Sequence, residues 1–236
     1  MNPLPLPSCC DEPVEHWPLP RPLTGTRLVS ARFDPERLAP DDFARCAIPP
    51  LGGAAKRQAE HLAGRLCARQ ALLGLAGIPD VPAVGADRAP QWPAGTVGSI
   101  THSDGWAAAL VGHASLWRGL GLDAETLLQP ARSERLARQI LTPGEQERSA
   151  VLPLDQRAWL VTLVFSLKES LFKALYPLVR QRFYFQDAEL LEWSADGQAR
   201  LRLLTPLAAD WPTGAELEGQ FAQLEERLLT LVGIGH

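Results

Sequence analysis

The sequence predicts an α+β (α/β) protein of two similar lobes, each with a long helix packed on an antiparallel sheet. Three observations carry this. Ala54–Gly74 and Gln156–Tyr176 are long stretches with apolar residues at helical spacing. Short alternating runs bounded by turn residues flank each of them and read as strands. Each half of the chain therefore offers one long helix and about three antiparallel strands, although no sequence repeat links the halves. The expected division is a Pro-rich extended segment over 1–25, an N-terminal lobe over 26–117 and a C-terminal lobe over 118–236.

Composition bounds the function. The 236 residues suffice for a large core, and 46% hydrophobic with 21% charged residues is ordinary globular usage. A net charge of −4 excludes a protein that coats nucleic acid electrostatically. Any anionic ligand must then be met by a local cluster of Lys and Arg. The four cysteines form no C-x-x-C pair, and no His spacing joins them into a zinc site. No signal peptide or membrane-spanning apolar run is legible, so the expected location is the cytoplasm, without nucleic-acid or membrane partners.

In chain order, the first two dozen residues are Pro-rich and aperiodic, with Trp17 as their expected anchor. Thr26–Arg32 reads as the first strand. On the first long helix Ala55, Ala59, Leu62, Ala63, Leu66 and Leu73 trace the core face, while Arg57, His61, Arg65 and Arg69 recur at steps of four as a basic ridge. That ridge reads either as a solvated face or as a surface for phosphate. A loop-rich passage over Gly77–Gly95 follows. The strand ending in Ser99-Ile100-Thr101-His102 and the strand Trp106–Val111 should form a hairpin across Ser103-Asp104-Gly105. Trp117–Ala124 supplies the next strand, and Ala131–Leu141 a short helix with Arg132, Arg135 and Arg138 on one side. Thr142-Pro143-Gly144-Glu145 has the residues of a helix start, and Pro177 should stop the second long helix. Asp187–Trp193, Gln198–Leu204 and Arg227–Ile234 complete the strands.

Three stretches carry chemistry. Residues two apart on a strand share a face, so Asp123 and Glu125 present their oxygens side by side at a strand end. Two carboxylates held that close repel unless a cation joins them, and oxygen ligands of this kind suit Mg²⁺ with a phosphate substrate. Taken alone, the pair could be solvent-facing charge, and Glu169 with Lys173 a surface i,i+4 bridge. Gly119-x-Gly121 matches a dinucleotide fingerprint only superficially, and a hydrolase triad built from Ser99 or Ser103, His102 and Asp123 lacks the G-x-S-x-G elbow.

In order and spacing, Ser99-Ile100-Thr101-His102, Leu120-Gly121-Leu122-Asp123-Ala124-Glu125 and Phe165-Ser166-Leu167-Lys168-Glu169-Ser170-Leu171-Phe172-Lys173 together resemble the 4'-phosphopantetheinyl transferase superfamily. The resemblance is to its monomeric, two-lobed type with pseudo-twofold symmetry. Ala63-Gly64-Arg65 and Arg88-Ala89-Pro90-Gln91-Trp92-Pro93 are similar to its enterobactin-synthetase component D branch. Phe165 stands where the family usually has tryptophan, and Ser170 where alanine is commoner.

The resemblance implies transfer of 4'-phosphopantetheine from coenzyme A to a serine of apo acyl or peptidyl carrier proteins, leaving 3',5'-ADP, in fatty-acid, polyketide or siderophore synthesis. It implies that Asp123, Glu125 and Glu169 hold Mg²⁺, and that Asp123, Glu169 and Lys173 are catalytic. Arg57, Arg65, Arg88, Thr101 and His102 in the N-terminal lobe would bind coenzyme A, with Asp123 and Lys173 at its pyrophosphate. Lys168 points elsewhere on its helix. Arg132, Arg135, Arg138, Arg180 and Arg182 could face an acidic carrier protein. The alternatives are a non-catalytic carrier-protein or coenzyme A-binding module of the same fold, and a phosphoanhydride hydrolase.

Overall fold

The computed structural model describes Pro5–His236, and within it the chain forms two compact units. The first comprises the chain up to Trp17, Leu23–Trp117 and His236; the second comprises Pro18–Pro22 and Arg118–Gly235.

In the first unit the elements are β1 (Val14–Glu15), β2 (Thr26–Arg32), α1 (Asp42–Arg45), α2 (Ala55–Ala76), β3 (Ala83–Val84), β4 (Pro90–Gln91), β5 (Thr96–Ser103) and β6 (Trp106–His113). The main sheet runs β1-β2-β6-β5, each ladder antiparallel. Ser103 pairs with Trp106 across Asp104-Gly105, and Gly105 takes φ +63°, the left-handed conformation such a tight hairpin needs. α2 lies close on the sheet because its inner face is small. Ala68 and Ala71 meet Ala109, Val29 and Val111, all buried. Gly77, at φ +70°, ends α2 by donating back to the Leu72 and Leu73 carbonyls.

The N-terminal segment is tied down more firmly than its proline content suggests. The Ser8 N–H donates to Asp42 Oδ1 at 2.7 Å, Cys10 bridges to Phe33, and β1 adds an edge strand. Trp17, the expected anchor, has an indole N–H without an acceptor. The basic ridge of α2 is also not a solvated face along its length. Arg65 and Arg69 are buried, and Arg69 donates to the Cys46 and Ala47 carbonyls, capping the end of α1.

The second unit contains β7 (Trp117–Thr126, from Arg118 on), α3 (Pro130–Ile140), α4 (Pro143–Ala150), α5 (Leu154–Val179), β8 (Ala188–Trp193), β9 (Gln198–Leu203), β10 (Glu216–Leu224) and β11 (Arg227–Gly235). Its five-stranded sheet runs β7-β11-β10-β9-β8. The core is the inner face of α5, through Leu163, Leu167, Leu171 and Leu175, against Leu201, Leu228 and Val232. α4 starts at Thr142 with a complete capping box to Glu145. Pro177 does not stop α5. It sits inside the last turn, where few helical hydrogen bonds remain to be lost, and Arg180 at φ 52° closes the helix by donating to the Tyr176 carbonyl.

Gly119 and Gly121 set how near α5 approaches β7. A Cβ on Gly121 would fall far inside van der Waals contact with the Ser170 carbonyl oxygen and 2.7 Å from the Ala174 nitrogen; one on Gly119 would strike the Ala174 carbonyl. The pair is therefore a packing device and not a nucleotide loop. Gly121→Ala must push helix and strand apart, and is expected to cost about 1–3 kcal/mol in urea unfolding. An unchanged midpoint would show that the contact yields freely.

Candidate active site

The close approach of α5 to β7 places Asp123 against the helix. Asp123 is 4% exposed. Its Oδ1 accepts from Lys173 Nζ at 2.6 Å and its Oδ2 from Ser166 Oγ at 2.8 Å. Lys173 also donates to the Leu122 carbonyl, so its ammonium is fixed from two sides. Thr230 on β11 braces the arrangement: its hydroxyl lies 2.9 Å from Ser166 Oγ and 2.7 Å from Ser170 Oγ. Ser170 thus has its own hydrogen-bonding role in this chain.

Glu125 and Glu169 stand in the same electrostatic field. Burial, then the Asp123 and Glu169 carboxylates, push Glu125 up to about 7, against the opposing pull of Lys173 and Arg132. Burial and then Asp123 raise Glu169, with Lys173 again opposing. Asp123 together with two carboxylates whose charged forms it disfavours has the chemistry of a divalent-cation site. Among the described residues, however, no three His, Cys, Asp or Glu side chains are already drawn together as a ligand set. The Lys173 ammonium occupies Asp123 instead. Beside Glu169 lies a cavity of about 180 Å³ walled by Phe172, Phe183, Tyr184 and Phe185, with Arg182 and Lys168 also lining it.

Lys168 is 3% exposed and donates to the Ile140 carbonyl, Glu145 Oε2 and the Phe185 carbonyl at 2.7–2.9 Å. Burial pulls its pKa down, and Glu145 opposes that. It pins three neighbouring segments to α5 and faces away from Asp123's partners.

The first unit carries a basic cluster on α2 and β5. Gly64 lets the two elements touch, since a Cβ there would lie 2.7 Å from Ile100. Arg57 Nη1 lies 3.1 Å from His102 Nε2, and Thr101 is buried beside them in sequence. Arg65, two turns along α2, is 7% exposed, and burial lowers its pKa. No acceptor or carboxylate among the described residues pairs with it. Burial disfavours the charged form of Arg65, and an anionic ligand would offset that penalty. Arg88 sits apart on the β3–β4 turn at φ 69°, an unfavourable conformation for a residue with a Cβ. The structure therefore joins Arg57 to His102, buries Arg65 further along the same helix, and leaves Arg88 on its own exposed turn.

Comparison with known proteins decides the family. The model of the 4'-phosphopantetheinyl transferase N-terminal domain matches residues 52–112, and that of the 4'-phosphopantetheinyl transferase superfamily matches residues 119–231. The chain belongs to the 4'-phosphopantetheinyl transferase superfamily. Enterobactin synthase component D of Escherichia coli K12 is 35% identical over 177 residues, covering 73% of this chain and 81% of that protein. The protein of the same name from Salmonella typhimurium is 34% identical over 225 residues, covering 93% and 90%. 4'-Phosphopantetheinyl transferase Svp of Streptomyces mobaraensis is 38% identical over 176 residues, covering 71% and 70%. A crystal structure of a holo-(acyl-carrier-protein) synthase from Bacillus anthracis, in complex with CoA (3',5'-ADP), aligns at TM-score 0.38 and 19% identity, over 51% of this chain and 97% of that one. Phosphopantetheine transfer is the activity that membership of the superfamily brings.

Two features of this transferase escaped sequence reasoning. The anchoring of Lys168 by Glu145 joins positions too far apart in sequence to pair by eye. Glu60, three residues after Arg57, offered only its i,i+3 spacing as a signal, yet it faces both Arg57 and His102. His61 behaves as neutral packing, not as part of a cationic ridge. Burial, then Arg65 and Arg57, push it down to about 4. The unfolded chain takes up that proton from about pH 6.5 downward while the folded one refuses it until about 4, so stability falls as pH drops through this window. The loss, about 2 kcal/mol by pH 4 after allowance for partial exposure, should be absent from the stability profile of His61→Gln, so the two profiles should diverge as pH falls. Parallel unfolding profiles of the two proteins from pH 7 to 4.5 would contradict this.

Proposed function

We propose that this transferase moves the 4'-phosphopantetheine group from coenzyme A to a serine of apo carrier proteins with Asp123, Glu125, Glu169 and Lys173 as its reacting set. The observation that carries this is the Lys173–Asp123 pair set beside two carboxylates whose pKa values burial and Asp123 raise, Glu125 to about 7. Asp123, Glu125 and Glu169 would hold a divalent cation, Mg²⁺ by their all-oxygen chemistry, which when bound supplies charge neutralisation for the pyrophosphate of coenzyme A.

The chain's own residues then act as follows. Lys173, on a side chain 28% exposed, turns from Asp123 to the reacting phosphoryl group and neutralises the charge that grows there. The carrier's serine oxygen forms a bond to the phosphorus of the pantetheine arm as the bond to 3',5'-ADP breaks. Glu169, through a carboxylate oxygen that the cation leaves free, would take the serine proton. The aromatic cavity beside Glu169 suits the uncharged pantetheine arm and keeps water from the reacting centre.

Arg57, Thr101 and His102, with Arg65 and Arg88, would take the phosphate-bearing nucleotide end, where forked guanidinium donors fit phosphate oxygens. Arg132, Arg135 and Arg138 lie exposed on α3 and suit an acidic carrier helix. The names of the enterobactin synthase relatives favour carriers of siderophore assembly, and the enzyme is read as a cytoplasmic monomer. A non-catalytic binding module has no use for all four reacting residues. A hydrolase is separated by one assay: 3',5'-ADP release from coenzyme A is expected with Mg²⁺ and an apo carrier, and not without the carrier. Release without any acceptor would overturn the transferase mechanism.

A further inference from the structure

Glu60 has no part in the scheme above, yet it stands behind the Arg57–His102 contact. Its side chain is 12% exposed, and its Oε2 lies 3.7 Å from Arg57 Nη1 and 3.7 Å from His102 Nδ1. Arg57 Nη1 in turn lies 3.1 Å from His102 Nε2. A guanidinium only donates, so Nε2 is the acceptor of that contact and the ring proton belongs on Nδ1, toward Glu60. The imidazole is therefore held between a donor that uses its lone pair and a carboxylate that faces its N–H. A carboxylate in this place fixes the tautomer and favours the doubly protonated ring. The other charged or titratable groups nearby are Arg65 and the neutral His61 further along α2, and the exposed Lys56–Asp104 pair, 3.4 Å apart, that links the start of α2 to the β5–β6 turn.

We propose that Glu60 is a positioning residue for phosphate-monoester recognition, coupling arrival of the phosphate to uptake of one proton by His102. When a dianionic phosphate reaches the cluster, Arg57 turns its donors to the phosphate oxygens. His102 Nε2, released, takes a proton from solvent and donates it as a hydrogen bond to the phosphate. The imidazolium then lies between two anions, Glu60 at Nδ1 and the phosphate at Nε2. No bond to phosphorus forms or breaks. This rests on reading the cluster as the site of the 3'-phosphate of coenzyme A.

The test is calorimetric titration of the full chain with coenzyme A and with dephospho-coenzyme A, which lacks only that phosphate. It is run at pH 7.5, where the phosphate is itself largely dianionic, in two buffers of different ionisation heat. For the wild type, coenzyme A should take up about half to one proton more than dephospho-coenzyme A. Glu60→Gln should lose about tenfold in coenzyme A affinity, the scale of one charge-assisted hydrogen bond, together with most of the extra uptake. Its affinity for dephospho-coenzyme A should be unchanged, which also shows that the variant is folded. Glu60→Asp, which keeps the carboxylate, should retain part of the uptake. Equal losses toward both ligands with Glu60→Asp behaving as wild type, or proton uptake unaltered in Glu60→Gln, would overturn the role of Glu60 alone. Equal wild-type affinity for the two ligands would overturn the phosphate reading beneath it as well.

Discussion

Lys168→Met is expected to destabilise the protein by about 3–5 kcal/mol, because it leaves the Glu145 carboxylate buried without its cation. Both side chains are about 3% exposed, and Nζ gives its three donors to three different segments. Glu145 is committed from every side: its Oε2 also accepts from the Thr142 N–H and its Oε1 from the Leu190 N–H. One substitution therefore loosens the end of α3, the start of α4 and the entry to β8 together. Urea unfolding should show the loss as a lowered midpoint. The double variant Lys168→Met/Glu145→Gln should recover part of it, since no unpaired charge is then buried. A single-variant loss under about 1 kcal/mol would mean that the pair is dispensable to the fold.

Glu169→Gln should lower phosphopantetheine transfer at least about 100-fold while leaving the melting temperature equal or higher. The signs oppose for one reason. Burial and Asp123 disfavour the charged form of Glu169, so a neutral amide of the same size relieves the folded state. The same substitution removes both the proton acceptor and a cation ligand from the reacting set. Transfer measured with saturating coenzyme A and carrier, alongside calorimetric melting, separates the two effects. Wild-type turnover in this variant would remove Glu169 from the mechanism.

Much of this molecule was legible in its sequence, and the exceptions share physical causes. Both long helices emerged from apolar periodicity, and the α4 start from Thr142 and Glu145. β10 did not emerge, because two of its buried positions are not apolar. Gly219 occupies one, where a Cβ would lie 3.1 Å from Leu167, and Gln220 the other, exchanging hydrogen bonds with the Arg21 backbone. α1, four residues long, shows no period to read. The acidic set was visible from strand spacing, since residues two apart share a face. What spacing could not supply was the Lys173 contact to Asp123, or the division of four basic positions on α2. Those depend on tertiary packing: Arg69 is buried against the Cys46 and Ala47 carbonyls and Arg65 is buried as well, while Arg57 remains exposed.

The central claim is that Asp123, Glu125, Glu169 and Lys173 transfer phosphopantetheine to a carrier serine with a divalent cation. It is tested most directly by intact-mass spectrometry of an apo carrier protein incubated with this chain, coenzyme A and Mg²⁺. The expected result is a mass gain of one phosphopantetheine, absent when Mg²⁺ is chelated, when the carrier serine is replaced by alanine, or when the Asp123→Asn variant is used. An undiminished gain with Asp123→Asn or without a divalent cation would contradict the account.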